Sequence, residues 1–169
     1  GSGCLVTHKF LQALDVALNI DYSGDLIDLT ALSLVSDSMD MSEMENREYY
    51  HYGLENRDCI YNPFLKQLID KFCPVYYNQR DISFKVIPKL NSICRSSDIE
   101  LKKKLLDAFD GIDIDEMVEL CEQAHVEQVK LVEKTIDNYK EEIYNQSNNQ
   151  IVIIADDEMP RAYSGLIAS

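Results

Sequence analysis

From Asp113 to Tyr144 the chain places Val118, Cys121, His125, Val129, Val132, Ile136, Tyr139 and Ile143 at steps of three and four residues. That spacing keeps all eight on one face of an α-helix. Some 32 residues at about 1.5 Å each make a rod on the order of 48 Å long. A rod of that length draws its stability from what packs along it, as a spine for other helices or as a coiled-coil arm. Asp113, with Glu116 three residues on, reads as its cap, and the polar run NQSNNQ (145–150) as its end.

Shorter amphipathic segments precede it. Val6, Phe10, Leu14 and Ala17, flanked by Leu11 and Leu18, form an apolar stripe at helical spacing in the first segment. After the break DYSGD, Asp25 is placed to cap a second helix carrying Leu26, Leu29, Leu32 and Val35 or Met39. Ser42 with Glu45, and later Ser97 with Glu100, have the capping-box spacing, and Gly53 is expected to end the third helix. Asn62-Pro63 is the clearest start: a side-chain cap followed by a proline at the first helical position. Leu65, Leu68, Ile69 and Phe72 give that helix its buried face, and Pro74 stops it. ISFKVI (82–87) alternates apolar and polar residues, so it reads either as a short strand or as a helical turn leading to Pro88.

The fold expected is all-α: six or seven helices in one bundle-like domain with a long C-terminal helix, then a short extended or β segment. An α+β arrangement with a small sheet is the alternative. Gly1-Ser2-Gly3 reads as a cloning scar, residues 4–148 as the helical domain, and residues 149–169 as a C-terminal strap or strand. Within that tail, IVIIADDE (151–158) resembles the first strand and acidic pair of response-regulator receiver domains. Only twelve residues follow Asp157, whereas one β-α-β unit needs about 30. The tail is therefore expected to end this domain, either laid on its body or added to a partner's sheet edge.

Composition narrows the function classes. Sixteen Lys and Arg against 30 Asp and Glu give a net charge of −14. Taken over the whole chain, that argues against a binder of nucleic acid or anionic membrane and for a protein partner with a basic surface. Five cysteines without a C-x-x-C pair fit neither a disulfide framework nor a zinc site. They point to reduced thiols in a cytoplasmic setting. No apolar run reaches the length of a membrane span, and the sequence has neither a phosphate-binding loop nor a nucleophile elbow.

Two motifs invite metal chemistry. Glu48 with His51, and Glu122 with His125, are both Glu-x-x-His, which on a helix aligns carboxylate and imidazole. A pair of such motifs with a Glu from each of two more helices resembles the di-iron centre of ferritin-like bundles, with Asp15 or Asp28 and Glu100 as the remaining ligands. The third helix is short for such a bundle, and Pro63, Pro74 and Pro88 interrupt the chain between the motifs.

The surface favoured for function combines Tyr49, Tyr50 and Tyr52 with an acidic line, Glu133, Asp137 and Glu141, on the long helix. The tyrosines read as a protein contact rather than a base-stacking platform, because their segment lacks positive charge. The reading from sequence is thus a non-catalytic interaction or regulatory module, of adaptor, inhibitor or immunity type, without cofactor or metal. The di-iron enzyme and an acidic mimic of nucleic acid are its alternatives.

Overall fold

A computed structural model describes residues 2–146 and residue 154. Among these the fold is all-α, without strand or sheet, and the long C-terminal helix is present. The order is α1 (Gly3–Leu18), α2 (Ile27–Ser36), α3 (Met44–Leu54), α4 (Pro63–Phe72), α5 (Gln79–Asp81), α6 (Ile87–Cys94), α7 (Ile99–Phe109) and α8 (Ile114–Asn145). Short 3₁₀ turns at Ser23–Leu26 and Arg57–Cys59 lead into α2 and toward α4. The expected strap at 149–169 lies outside the described residues, except for Ile154.

The core forms where α2, α4, α6, α7 and the first half of α8 converge. Phe64, Leu65, Leu68 and Ile69 of α4 are wholly buried, each worth about 1.5–3 kcal/mol relative to exposure. They meet Ala31 and Val35 of α2, Ile93 of α6, Ala108 of α7 and Met117, Val118 and Cys121 of α8. Phe64 and Phe109 pack edge to face with ring centroids 5.0 Å apart.

Asp28 ties the layers together from the floor of α2. Wholly buried, its carboxylate accepts from the N–H groups of Leu29 at 2.7 Å, Tyr61 at 2.9 Å and Asn62 at 2.7 Å. Burial raises its pKa, and the three N–H donors act against that rise. Asn62 caps α4 as expected, accepting from the Leu65 N–H at 3.0 Å, and its Nδ2 donates to the Phe109 carbonyl at 2.8 Å. A single loop thus fixes α4 to both α2 and α7.

Several local expectations give way to packing. Gly53 does not end α3, which runs through Leu54. A Cβ there would lie 2.6 Å from the Ile27 carbonyl oxygen, so the glycine is what lets α3 close on α2. Glu43, not Ser42, stands at the N-cap of α3 and makes no side-chain cap. The cap of α7 is Asp98, accepting from Glu100 and Leu101. Asp113 enters α8 in the left-handed region (φ 50°) without capping it.

ISFKVI is helical. Ile82–Val86 is a π turn in which the Ile87 N–H reaches back to the Ile82 carbonyl. Pro88 has no N–H to give to a carbonyl four residues earlier, and its ring crowds that turn. The widened turn accommodates both effects. Chain continuity through α5, this turn and α6 makes seven helical rods among the described residues.

Residues 2 and 3, read from sequence as a scar, take part in the fold. Ser2 caps α1 and meets Ser33 of α2, their hydroxyl oxygens 3.0 Å apart, and Gly3 is the first residue of α1.

Candidate functional site

The structure keeps the two Glu-x-x-His motifs apart. Glu48 and His51 are exposed on α3, and His51 Nδ1 contacts Glu55 one turn on rather than Glu48. Glu122 binds Lys71 Nζ at 2.8 Å, and that hydrogen bond holds its carboxyl below the usual range. His125 lies half-buried on α8, its Nδ1 without a hydrogen-bond partner. Burial, with Lys89 adding to the effect, lowers its pKa. Among the described residues no group of three or more His, Cys, Asp or Glu side chains is disposed to hold a metal ion.

The tyrosines divide. Tyr49 packs between helices: its ring stands perpendicular to that of His8 with centroids 5.3 Å apart, and its hydroxyl lies 3.4 Å from Gln12 Oε1. Tyr50 is packed against the core, and burial pushes its hydroxyl up to about 12. Only Tyr52 of the three is exposed. Glu133, Asp137 and Glu141 do line an exposed face of distal α8, where Asp137 pairs with Lys140 at 2.5 Å.

Charge is unevenly distributed along the chain. Residues 57–104 carry ten Lys and Arg against five Asp and Glu, while the remainder has six against twenty-five. Within the basic stretch the cations are interleaved with rings. Lys71 and Lys89 flank the Phe72 ring, their Nζ atoms 5.4 and 4.2 Å from its centroid. Arg80 lies over Phe84 at 5.7 Å, and Arg57 over Tyr77 at 5.2 Å.

Between α4 and α5 a loop presents two apolar side chains to water: Val75 is 78% exposed and Tyr76 83%. The loop is braced from three sides. Arg57 donates to the Val75 carbonyl at 2.6 Å, also to the Cys73 carbonyl, and from Nε to Asp70 at 2.7 Å. Tyr77 is buried at 4% exposure. Asn78 and Asp81 then form a reciprocal capping box at α5.

Beyond the box, Phe84 is 69% exposed beside a recess of about 240 Å³ lined by Asn78, Arg80, Asp81, Phe84 and Lys85. Whole-chain charge hides these residues. The signal that finds them is charge taken over a window, together with Tyr76, Arg80 and Phe84 at successive steps of four.

A second concavity, of about 330 Å³, opens between α2, α6 and α7. Leu29, Leu32, Ile87, Leu90, Cys94 and Phe109 make it mainly apolar.

Three curated proteins resemble the chain in sequence. It is 26% identical over 160 residues to the single-stranded-DNA-specific exonuclease RecJ of Bacillus subtilis (strain 168), covering 90% of this chain and 20% of that protein. It is 29% identical over 111 residues to the putative SPbeta prophage-derived single-strand DNA-specific exonuclease YorK of the same organism, covering 64% of this chain and 19% of that protein. The putative single-strand DNA-specific exonuclease yorK of Bacillus phage SPbeta matches to the same extent. The chain spans about a fifth of the length of these relatives. No family model matches the chain, and no solved structure does.

These similarities overturn three expectations. A non-catalytic adaptor, a chain unconnected with enzymes, and a protein partner to the exclusion of nucleic acid all conflict with relatives named as exonucleases acting on single-stranded DNA. The reason is physical. A net charge of −14 says nothing of how the charge is spread, and charges more than about 8 Å apart at physiological salt barely sense one another.

Proposed function

We propose that this chain is the helical segment of a longer exonuclease that degrades single-stranded DNA. The observation that carries the reading is the resemblance to RecJ over 160 residues, 90% of the chain. Such an enzyme hydrolyses the phosphodiester: water attacks phosphorus, and one ester oxygen of the strand leaves. In this reading the segment's share is to support the site and guide the strand.

Exposed apolar surface supports a segment that packs against further protein. On α1, Val6, Phe10, Val16 and Leu18 are 62–85% exposed, and on α8 Val126, Val129 and Leu131 are 38–44% exposed. The thiols of the described cysteines are free, which fits the reducing cytoplasm in which DNA-processing enzymes work. No helix among the described residues is long and apolar enough to cross a membrane.

The test is degradation of end-labelled DNA by the protein as expressed from its natural reading frame. Nucleotides released from single strands, with duplex left intact, are the expected result. Intact single strands under conditions where a known single-strand exonuclease digests them would refute the proposal.

A further inference from the structure

We infer that Tyr76, Arg80, Phe84 and Lys85 form a contact surface for single-stranded DNA: the exposed rings stack on bases and the cations meet backbone phosphates. This rests on the reading of the segment as part of a single-strand exonuclease and assigns the strand a place on it.

Exposure is the first argument. Tyr76 and Phe84 are among the most exposed rings of the described residues, at 83% and 69%. Neither owes this to a loose chain end. Arg57 holds the carbonyls on either side of Pro74, Tyr77 is buried next to Tyr76, and the Asn78–Asp81 box fixes the start of the helix that carries Phe84. The backbone beneath each ring is already held before any ligand arrives, so less backbone freedom is lost when a base stacks on the ring.

Charge is the second. Arg80 makes no ion pair among the described residues and lies over the Phe84 ring. Lys85 pairs with Asp81 at 2.6 Å, its own side chain exposed and the carboxylate half-buried, and its ammonium keeps further N–H donors for a phosphate. With a Debye length of about 8 Å in physiological salt, a strand lying here responds chiefly to nearby charges, among them Arg80, Lys85 and Asp81 of the recess.

Chemistry of the occupant is the third. Stacking on a ring tolerates any base but requires it to be unpaired, whereas a duplex hides its base faces. The recess beside Phe84, lined by Asn78, Arg80, Asp81 and Lys85, has both donors and acceptors within reach of a base edge.

The test uses the full chain and fluorescence anisotropy with labelled oligo(dT), an abasic oligonucleotide of equal length, and a duplex. Tyr76→Ala with Phe84→Ala is expected to weaken oligo(dT) binding about tenfold or more and to leave the abasic strand unaffected. Phe84→Trp, with Tyr76 intact, keeps the affinity for oligo(dT). Arg80→Gln with Lys85→Gln weakens both strands and reduces the slope of log affinity against log salt by about 1.4, at roughly 0.7 for each phosphate no longer neutralised. Because all four side chains are on the surface, circular dichroism should be unchanged.

If the variants bind oligo(dT) as the wild type does, the surface is wrong while the exonuclease reading stands. Wild-type preference for duplex overturns both. Failure of the wild type to bind any strand removes this surface, and the degradation assay then judges the wider reading separately.

Discussion

α1 and α4 both have an apolar stripe at helical spacing, and the structure treats them in opposite ways. In α4 the stripe of Phe64, Leu65, Leu68 and Ile69 is completely buried. In α1 most of the expected stripe faces water, with Val6 at 63% and Phe10 at 62% exposure, Ala17 exposed and Leu14 half-buried, and the buried residues are Leu5 and His8. Periodicity reports that a face is apolar; it does not report that a partner for that face is present. α4 is locked by Asp28 and Asn62 to two neighbours. The hold on α1 lies outside the main core: Leu5 and His8 are buried, Ser2 meets Ser33, Asp15 accepts from Ser23 at 2.8 Å, and Lys9 pairs with Glu45 at 2.5 Å.

The contrast can be broken or sharpened by experiment. The largest effect is expected from Leu68→Ala, which empties space in a fully buried stripe and should cost about 2–5 kcal/mol in denaturant unfolding. A loss below about 1 kcal/mol would mean that α4 is not the centre of the core. Asp28→Asn replaces an acceptor of three N–H bonds by an amide that brings its own donors, at a cost of about 1–3 kcal/mol. Unchanged stability would show that the cost of burying the Asp28 carboxylate already offsets those bonds.

Acid should act through the seat of α1. His8 is buried beneath Tyr49, and burial lowers its pKa while Asp15 opposes the shift. Below the ordinary histidine value of 6.5 the folded state therefore binds fewer protons than the unfolded chain. Stability present above that pH is lost as the pH falls through the lowered pKa. His125 follows the same sign. Melting curves at about pH 7.5 and about pH 5.0, on either side of the ordinary histidine range, should converge on substituting His8→Leu together with His125→Leu. An acid loss that persists undiminished assigns it elsewhere.

The smallest effect is expected at Phe10. Phe10→Ser on the outer face of α1 should change stability by no more than about 0.5 kcal/mol. A loss of about 2 kcal/mol or more would show that this face is buried in solution, against further protein.

Legibility varied with the range of the interaction concerned. The Asn62-Pro63 start was readable because cap and proline act within four residues. The capping boxes at Ser42 and Ser97 were misplaced because acids stand beside both sites, and Asp98 won at the second. Gly53 read as a stop, yet its purpose is a close approach to Ile27 on another helix. Tyr49, Tyr50 and Tyr52 looked alike in sequence and became an interhelical pack, a core edge and an exposed ring. The strip from Tyr76 to Lys85 is invisible to a charge summed along the chain. What matters to a strand is charge within one screening length.

By itself the sequence determined that this protein is helical, that its last helix is long, and that Asn62 begins α4, since periodicity and capping act over a few residues. Tertiary structure alone decided which stripes found partners, why Gly53 has no side chain, how a widened turn admits Pro88, and that the four Glu-x-x-His ligands stay apart. Those outcomes depend on distances between residues far apart in the chain, and only the packed backbone sets them.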